Sequence, residues 1–388
     1  MHPMTIALRP LFASVAAALI LAGCASAPAT DPAAKTAAQY GILVSNGKLT
    51  EEGELRRDLG LEHSTAGRHG PAYVQWLPLA EQGHAESQFN IGLMLRDGLG
   101  VPADAAKSLD WTRKAAAANY PDAYLALGVR YANGTGVAKD PVEALRLWRQ
   151  GAGLGDANSA FYAGQALFFG LDVPRDGPAG LKLLLQAAQA DTPSVRAQSI
   201  LGMIYLTGED GVARDYAKAR QWLTLAAAGE DSQAQHHLGV MFQFGRGGPA
   251  DMRRAVAWYE RAARQGNPAA LNNLATFYKN GKNLPKDLKK AREYFERAHE
   301  GGNLDATVNL GDLLFMSRAT PTDRDKAVAL YKQAAEAAHA TGQCRYARVL
   351  RHGEGVSINA DESAAWVAKA KAAKLACDTK LPLTTVLK

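Results

Sequence analysis

A chain of 388 residues is long enough for two or three ordinary domains unless it is repetitive. Its composition, 47% hydrophobic and 21% charged, is globular. The net charge of +6, from 44 Lys+Arg against 38 Asp+Glu, is mild for this length and lacks the concentrated basic stripe of a nucleic-acid binder, so that partner class is excluded.

Arg9 is the only Lys or Arg before the apolar run from Leu11 to Gly23, and no acidic residue precedes Asp31. Thirteen apolar or small residues are too few for a membrane span, which needs about 20. They suit the apolar region of an export signal. The run ends in Leu21-Ala22-Gly23-Cys24, which resembles a bacterial lipobox. The resemblance implies that residues 1–23 are a lipoprotein signal peptide and that Cys24 is lipidated and begins the mature chain. An ordinary signal peptide with an incidental cysteine is the alternative. Ala25 to Ala34 is a small-residue, proline-containing tether, and residues 24–71 form the lipidated tether and N-terminal segment. In enteric-type lipoproteins, Ala rather than Asp at position 25 implies release to the outer membrane.

Ser45-Asn-Gly-Lys48 matches the Ser-x-x-Lys spacing of penicillin-recognising enzymes. That serine must open a helix, whereas Asn-Gly is a turn signal, and the companion motifs Ser-Asp-Asn and Lys-Thr-Gly are absent. From residue 72 the chain becomes periodic. A half-unit, "AYVQWLPLAEQG", comes first, weakened by Pro78.

The clearest unit is "LGVRYANGTGVAKDPVEALRLWRQGA", residues 127–152. Tyr124, Leu127, Gly128 and Tyr131 fall on one helical face. Asn133-Gly134-Thr-Gly136 stops that helix. Asp140 reads as an N-cap, Pro141 as the first helical residue and Glu143 as the partner in a capping box. Ala144, Leu145, Trp148 and Ala152 form the apolar face of a second helix. The two helices meet across Gly128.

The small residue recurs at Gly92, Gly128, Gly164, Gly202, Gly239, Ala275, Gly311 and Ala347, at intervals of 36 with two exceptions, 38 and 37. The cap recurs at Asp104, Asp140, Asp176, Asp215, Asp251, Asp287, Asp323 and Asn359. Seven or eight residues after most caps stands an aromatic: Trp111, Trp148, Trp222, Trp258, Tyr294, Tyr331 or Trp366. Leu183 and Leu184 take that place in the third copy.

This pattern resembles the Sel1-like repeat family, a relative of the tetratricopeptide repeats. The match runs from about Ala72 to Lys374. It departs from the pattern in the sixth copy ("NGKNLPKD") and the seventh ("SRATPTD"). The resemblance implies an all-α solenoid of about eight helix-turn-helix repeats over residues 72–376. The array would coil as a right-handed superhelix with a concave wall of first helices, because one hairpin cannot bury its apolar face alone. Ser363 to Ala376 reads as a longer final helix capping the array, with residues 377–388 as a tail.

In tetratricopeptide arrays the groove residues sit three before, one after, four after and five after the small position. Transferred here, that rule selects Phe161, Gln165, Phe168 and Phe169 in the third copy, and His236, Gln243 and Phe244 in the fifth. It selects Asn272, Thr276, Lys279 and Asn280 in the sixth, then Asp312, Phe315 and Met316, then Arg348, Arg351 and His352. Such a wall could hold an extended peptide or a partner's loop. Polar residues must also line any solvated wall, and Phe168 or Phe169 could be core.

His237 fills the slot of Asn90, Asn273 and Asn309, read as bonding backbone between repeats. Adjacent His236 and His237 diverge by about 100° on a helix, so no shared metal is expected. Gly151-Ala-Gly-Leu-Gly155 lies between hairpins with no strand before it and reads as a junction, not a dinucleotide loop. No cofactor is implied. Tyr278 to Arg297 carries seven basic and three acidic residues, which could meet an acidic partner or anionic glycan or be a solvated helix face. Cys344 and Cys377 could pair in an oxidising compartment, provided the tail after Ala376 folds back; two free thiols are the alternative.

No convergent acid, base and nucleophile is legible. The sequence reads as a non-enzymatic scaffold for proteins of the bacterial cell envelope, lipid-anchored at Cys24 to the outer membrane and facing the periplasm. A glycan- or peptidoglycan-binding lipoprotein is the alternative, and a weak cell-wall hydrolase is a third.

Overall fold

The computed structural model describes residues 40–387, apart from 210, 282 and 317–320. The expected signal peptide, Cys24 and tether lie outside the described residues. Among the described residues, nineteen helices and one two-stranded hairpin follow in order. The hairpin pairs β1 (Val44–Ser45) with β2 (Lys48–Leu49). It precedes α1 (Glu51–Thr65) and α2 (His69–Glu81). Eight two-helix units come next: α3 (Ala85–Asp97) with α4 (Ala105–Ala117), α5 (Pro121–Asn133) with α6 (Pro141–Gly153), α7 (Ala157–Phe169) with α8 (Gly177–Ala188), and α9 (Val195–Thr207) with α10 (Tyr216–Ala228). The array continues with α11 (Ser232–Phe244) and α12 (Met252–Arg264), α13 (Pro268–Asn280) and α14 (Leu288–Glu300), α15 (Leu304–Met316) and α16 (Pro321–Glu336), and α17 (Ala340–His352) and α18 (Ala360–Ala372). A single turn, α19 (Leu383–Val386), ends it. Each helix packs on its neighbours in sequence, which makes the chain an all-α solenoid.

The repeat is set by its helix ends. Asp140 accepts a hydrogen bond from Glu143 N at 2.9 Å, and the same side-chain cap opens α4, α8, α10, α12, α14 and α18. Gly134, at φ 72°, ends α5 in the left-handed conformation that lets its N–H close back on Arg130 O. The seventh unit differs. There α16 already begins at Pro321, so Asp323 lies in the first turn instead of capping it.

The aromatic position resolves into two slots. Eight residues after the cap, the side chain lies against the small residue of the first helix. A Cβ on Gly128 would stand 2.3 Å from Trp148 Nε1, and Cβ atoms on Gly239 and Gly311 would stand 2.5 and 2.6 Å from Tyr259 and Tyr331. Seven residues after the cap, Trp111, Trp222 and Trp258 turn toward the preceding unit.

The half-unit before the first repeat is a whole hairpin. A Cβ on Gly60 would stand 2.1 Å from Trp76 Nε1, the same glycine–tryptophan contact as in the second unit. Helix α2 continues through Pro78 to Glu81. Asn46 and Gly47, at φ 50° and 76°, make the tight turn of the β-hairpin. Ser45 and Lys48 are therefore exposed cross-strand partners, not the start of a helix. Gln82 clasps this N-terminal segment: its Oε1 accepts from Leu43 N at 2.7 Å and Val44 N at 3.1 Å, and its Nε2 donates to Gly41 O at 2.8 Å.

The other end also departs from expectation. Helix α18 has thirteen residues, the length of α4, α6, α10, α12 and α14, and stops at Ala372. Lys374, at φ 62°, reverses the chain, and the tail folds back on α17. Cys344 and Cys377 are joined in a disulfide with Cα atoms 5.4 Å apart. The buried carboxylate of Glu354 then caps α19, accepting from Leu383 N at 2.6 Å and from Thr384 N and Oγ1 at 3.1 and 2.8 Å. Leu383 is fully buried in the core cluster that begins in α11. The tail, not a long helix, closes that end.

Candidate protein-interaction groove

Consecutive first helices (α5 with α7, α9 with α11, α15 with α17) approach one another more closely than consecutive second helices do. The array therefore curves with its first helices on the inner side. Side chains bridge neighbouring units across that wall. Asn273 Nδ2 lies 3.2 Å from His236 Nε2, and Asn309 donates to Asn272 Oδ1 at 2.9 Å. Each bridge joins the residue three before the small position to the residue two before it in the next unit.

This corrects one expectation: the Asn273 and Asn309 slot bonds a side chain, not the backbone. Bonding to the backbone belongs to the residue four before the small position. There Gln88, Gln198, Gln235 and Gln343, all buried, donate to carbonyls of the preceding second helix at 3.0–3.4 Å. The periodic glutamine at this position is the sequence signal for that bond.

His236 is held on three sides, by Asn273, by the His237 ring at 5.0 Å and by the Tyr259 ring at 5.8 Å. Burial, aided by the neighbouring His237, lowers its pKa to about 4. A neutral ring then accepts from Asn273 at Nε2. Gln243 accepts from Tyr259 Oη at 2.7 Å, and Thr276 donates to Asn272 O at 2.9 Å. Lys279 extends 5.9 Å above the Phe295 ring. All four remain partly exposed on the wall, as do Asn272, Gln165 and Phe169. Beside them Phe244 is 61% and Met316 48% exposed.

Other transferred positions are not open. Phe161, Phe168 and Phe315 are core. Helices α7 and α8 come so close at Gly180, where a Cβ would lie 2.4 Å from Phe168 N, that Phe168 has no route to the wall. Asp312 is 6% exposed, locked in a two-pronged pair with Arg345 (2.9 and 3.0 Å) while accepting from Tyr331 Oη at 2.9 Å. Arg348 lies beneath the tail, donating to Asp378 O, and His352 meets Thr379 O at 2.8 Å. Arg351 alone of that trio is exposed to solvent.

The cavities lie elsewhere. One of about 280 Å³ between α4, α5 and α6 is lined by Arg113, Tyr124, Tyr131, Glu143 and Arg146, the last two paired at 2.6 Å. Another, of about 440 Å³, lies beside α10, against Arg220, Gln221 and Leu225. Neither brings an acid, a base and a nucleophile together. Among the described residues no three metal-ligating side chains converge, and no helix is long and apolar enough to cross a membrane.

Comparison with known proteins agrees with this architecture. The Sel1 repeat model matches eight times without interruption from 85 to 191 and from 195 to 374. A Sel1 repeat protein from Oxalobacter formigenes is 29% identical, with a TM-score of 0.56 over 63% of this chain and 96% of that one. The antigen c5321 of uropathogenic Escherichia coli is 26% identical, with a TM-score of 0.45 over 82% of this chain and 76% of that one. The chitin synthase regulator SKT5 of Saccharomyces cerevisiae is 30% identical over 184 residues, 45% of this chain. That match spans only 26% of the yeast protein. With eight matched units spread over most of its length, the chain belongs to the Sel1 repeat family.

Proposed function

We propose that the chain is a non-enzymatic scaffold that holds a protein partner along its inner wall. Sel1 repeat proteins generally mediate protein–protein interactions. The observation that carries the reading is the wall from α11 to α15. Its inter-unit bridges fix a rigid surface, while Gln243, Thr276 and Lys279 keep free polar valences beside exposed Phe244 and Met316. Apolar anchors flanked by oriented polar groups are what a protein segment needs for affinity and register.

The scaffold would be exported and anchored to the outer membrane through a lipid on Cys24, facing the periplasm and supporting envelope or export machinery. The sequence from Leu21 to Cys24 supports this part of the reading. Photoreactive residues at Gln243, Thr276 and Phe244 in living cells should give a discrete protein adduct. The same probe at Lys107 and Arg254, on second helices, should not. Equal labelling from both sets would refute the groove assignment. Cys24→Ser should abolish fatty-acid labelling and move the protein from the detergent to the aqueous phase; unchanged partitioning would refute the anchor.

A glycan reading has one observation in its favour. Tyr278 and Tyr294 lie 5.8 Å apart with Lys290 and Arg297 above their rings, a surface that could stack on an anionic sugar. Retention on purified sacculi that is lost in high salt would favour it over a protein partner.

A further inference from the structure

The tail crossing the last unit occupies the wall as a ligand would. From Leu375 to Thr379 it has no regular secondary structure. It meets α17 at Cys344, Arg348 and His352, three residues that share one face at successive turns. Its contacts with Arg348 and His352 are main-chain carbonyls. A carbonyl is a poor match for a guanidinium, whose planar fork of donors fits a carboxylate. Arg348 Nε and Nη1 are in fact buried with no hydrogen-bond partner. The nearest tail carboxylate, Asp378, turns away to accept from Lys380 N at 2.9 Å. Arg345 next to it is already saturated by Asp312. Burial, and then the charge of Arg345, lower the Arg348 pKa against the smaller opposing effects of Asp378, Glu354 and Asp312.

The strap has two unlike ends. At Leu383 it is held by burial and by three hydrogen bonds to Glu354. Over α17 it is held by one covalent bond, at Cys377, and by the two carbonyl contacts with Arg348 and His352, and both cysteines are partly exposed. Breaking that bond would leave residues 373–382 as a loop tied at its two ends to α18 and α19, with only the carbonyl contacts of Asp378 and Thr379 holding it on α17.

We propose that the inner face of α17 is a binding site for an acidic, extended peptide segment of a partner protein, kept closed by this chain's own tail and opened when the Cys344–Cys377 disulfide is reduced. This deepens the scaffold reading and rests on it. The opening step needs a dithiol reductant. The reductant supplies two electrons and two protons, the S–S bond breaks to give two thiols, and the reductant closes to its own disulfide. A carboxylate of the incoming segment then takes the Nε and Nη1 donors that the strap leaves unused, with Arg351 and His352 alongside.

The test is fluorescence anisotropy with a fluorescein-labelled hexaglutamate peptide on the full chain, and hexaglutamine as the neutral control. The oxidised protein should bind hexaglutamate at least tenfold more weakly than either the dithiol-reduced protein or the Cys344→Ser/Cys377→Ser variant. Arg348→Gln in the opened variant should weaken binding at least tenfold, while Lys107→Gln/Lys182→Gln, on α4 and α8, should leave it unchanged. Thermal melts of each variant exclude unfolding as the cause. Equal affinity of oxidised and opened protein, absence of binding in both opened forms, or binding indifferent to Arg348→Gln would overturn the proposal. Crosslinked adducts from Gln243 and Thr276 are read separately. If they persist while hexaglutamate fails, only the α17 site falls; if they too are absent, the scaffold reading falls with it.

Discussion

His236 shows how a residue selected for binding is also a joint. Its ring is neutral because folding removes it from water, and the neutral ring is what lets Nε2 accept from Asn273. The folded pKa, about 4, lies below the ordinary value of 6.5, so the unfolded chain takes up the proton first. Stability is then fully present above pH 6.5 and falls as pH drops from 6.5 toward 4. His237, lowered in the same direction by burial, adds to the effect. His236→Asn, which places in the fifth unit what Asn272 supplies in the sixth, should keep the bridge and flatten the fall. Melting temperatures of the two proteins between pH 7 and 4 measure it; parallel curves would show that His236 carries no proton linkage. The rule that found His236 also selected Phe168 and Asp312, which are buried. Offsets taken from a related repeat give the side of a helix to within about one residue, and one residue turns a side chain by about 100°. At Asp312 the partner that decides the matter, Arg345, is 33 positions away.

At the scale of the element, the helix ends and the glycine spacing made seven of the eight hairpins legible to within a few residues. A cap, a left-handed glycine and an apolar face are all local. The hairpin of α1 and α2 is only half legible in the sequence, for an equally physical reason. Its connection spans only residues 66–68, so Gly60 and Trp76 are 16 apart, against 20 for Gly128 and Trp148. A search at fixed spacing passes over it, though the contact is the same. The equivalence has a measurable consequence. Gly60→Ala and Gly128→Ala should each destabilise the chain by about 1–3 kcal/mol, because a methyl at either site must displace a packed indole. Denaturant melts followed by tryptophan fluorescence would decide it. If Gly60→Ala is neutral while Gly128→Ala is costly, α1 and α2 are an appendage and not a ninth hairpin. The return of the tail had no comparable local signal. It depends on Glu354, about 30 residues before the segment it caps, and only the cysteine pair hinted at it.

Across the molecule as a whole, the main packing contacts among the described residues run between neighbouring helices and units, so damage should stay where it is made. The Asp312–Arg345–Tyr331 cluster is the strongest polar tie between the last two units. Burial works against the Arg345 charge, and its hydrogen bonds to Asp312 together with the charges of Asp312 and Tyr331 outweigh it. Asp312→Ala should cost roughly 3 kcal/mol by leaving a mostly buried guanidinium without its counter-charge. Amide exchange should quicken across α15 to α18 and stay unchanged from α3 to α10; uniform acceleration would mean that the array unfolds as one block. The bridges on the inner wall carry a different consequence, for heredity. Both link the same two slots, three and two residues before the small position, between units five and six and between units six and seven. Loss of residues 268–303, one whole unit, would bring His236 opposite Asn309 in place of Asn273, a histidine–asparagine pair as before. Unequal recombination within units five to seven would therefore shorten or lengthen the gene by a whole unit and still leave a seam that joins, so that reach would vary between descendants while the joint stays the same.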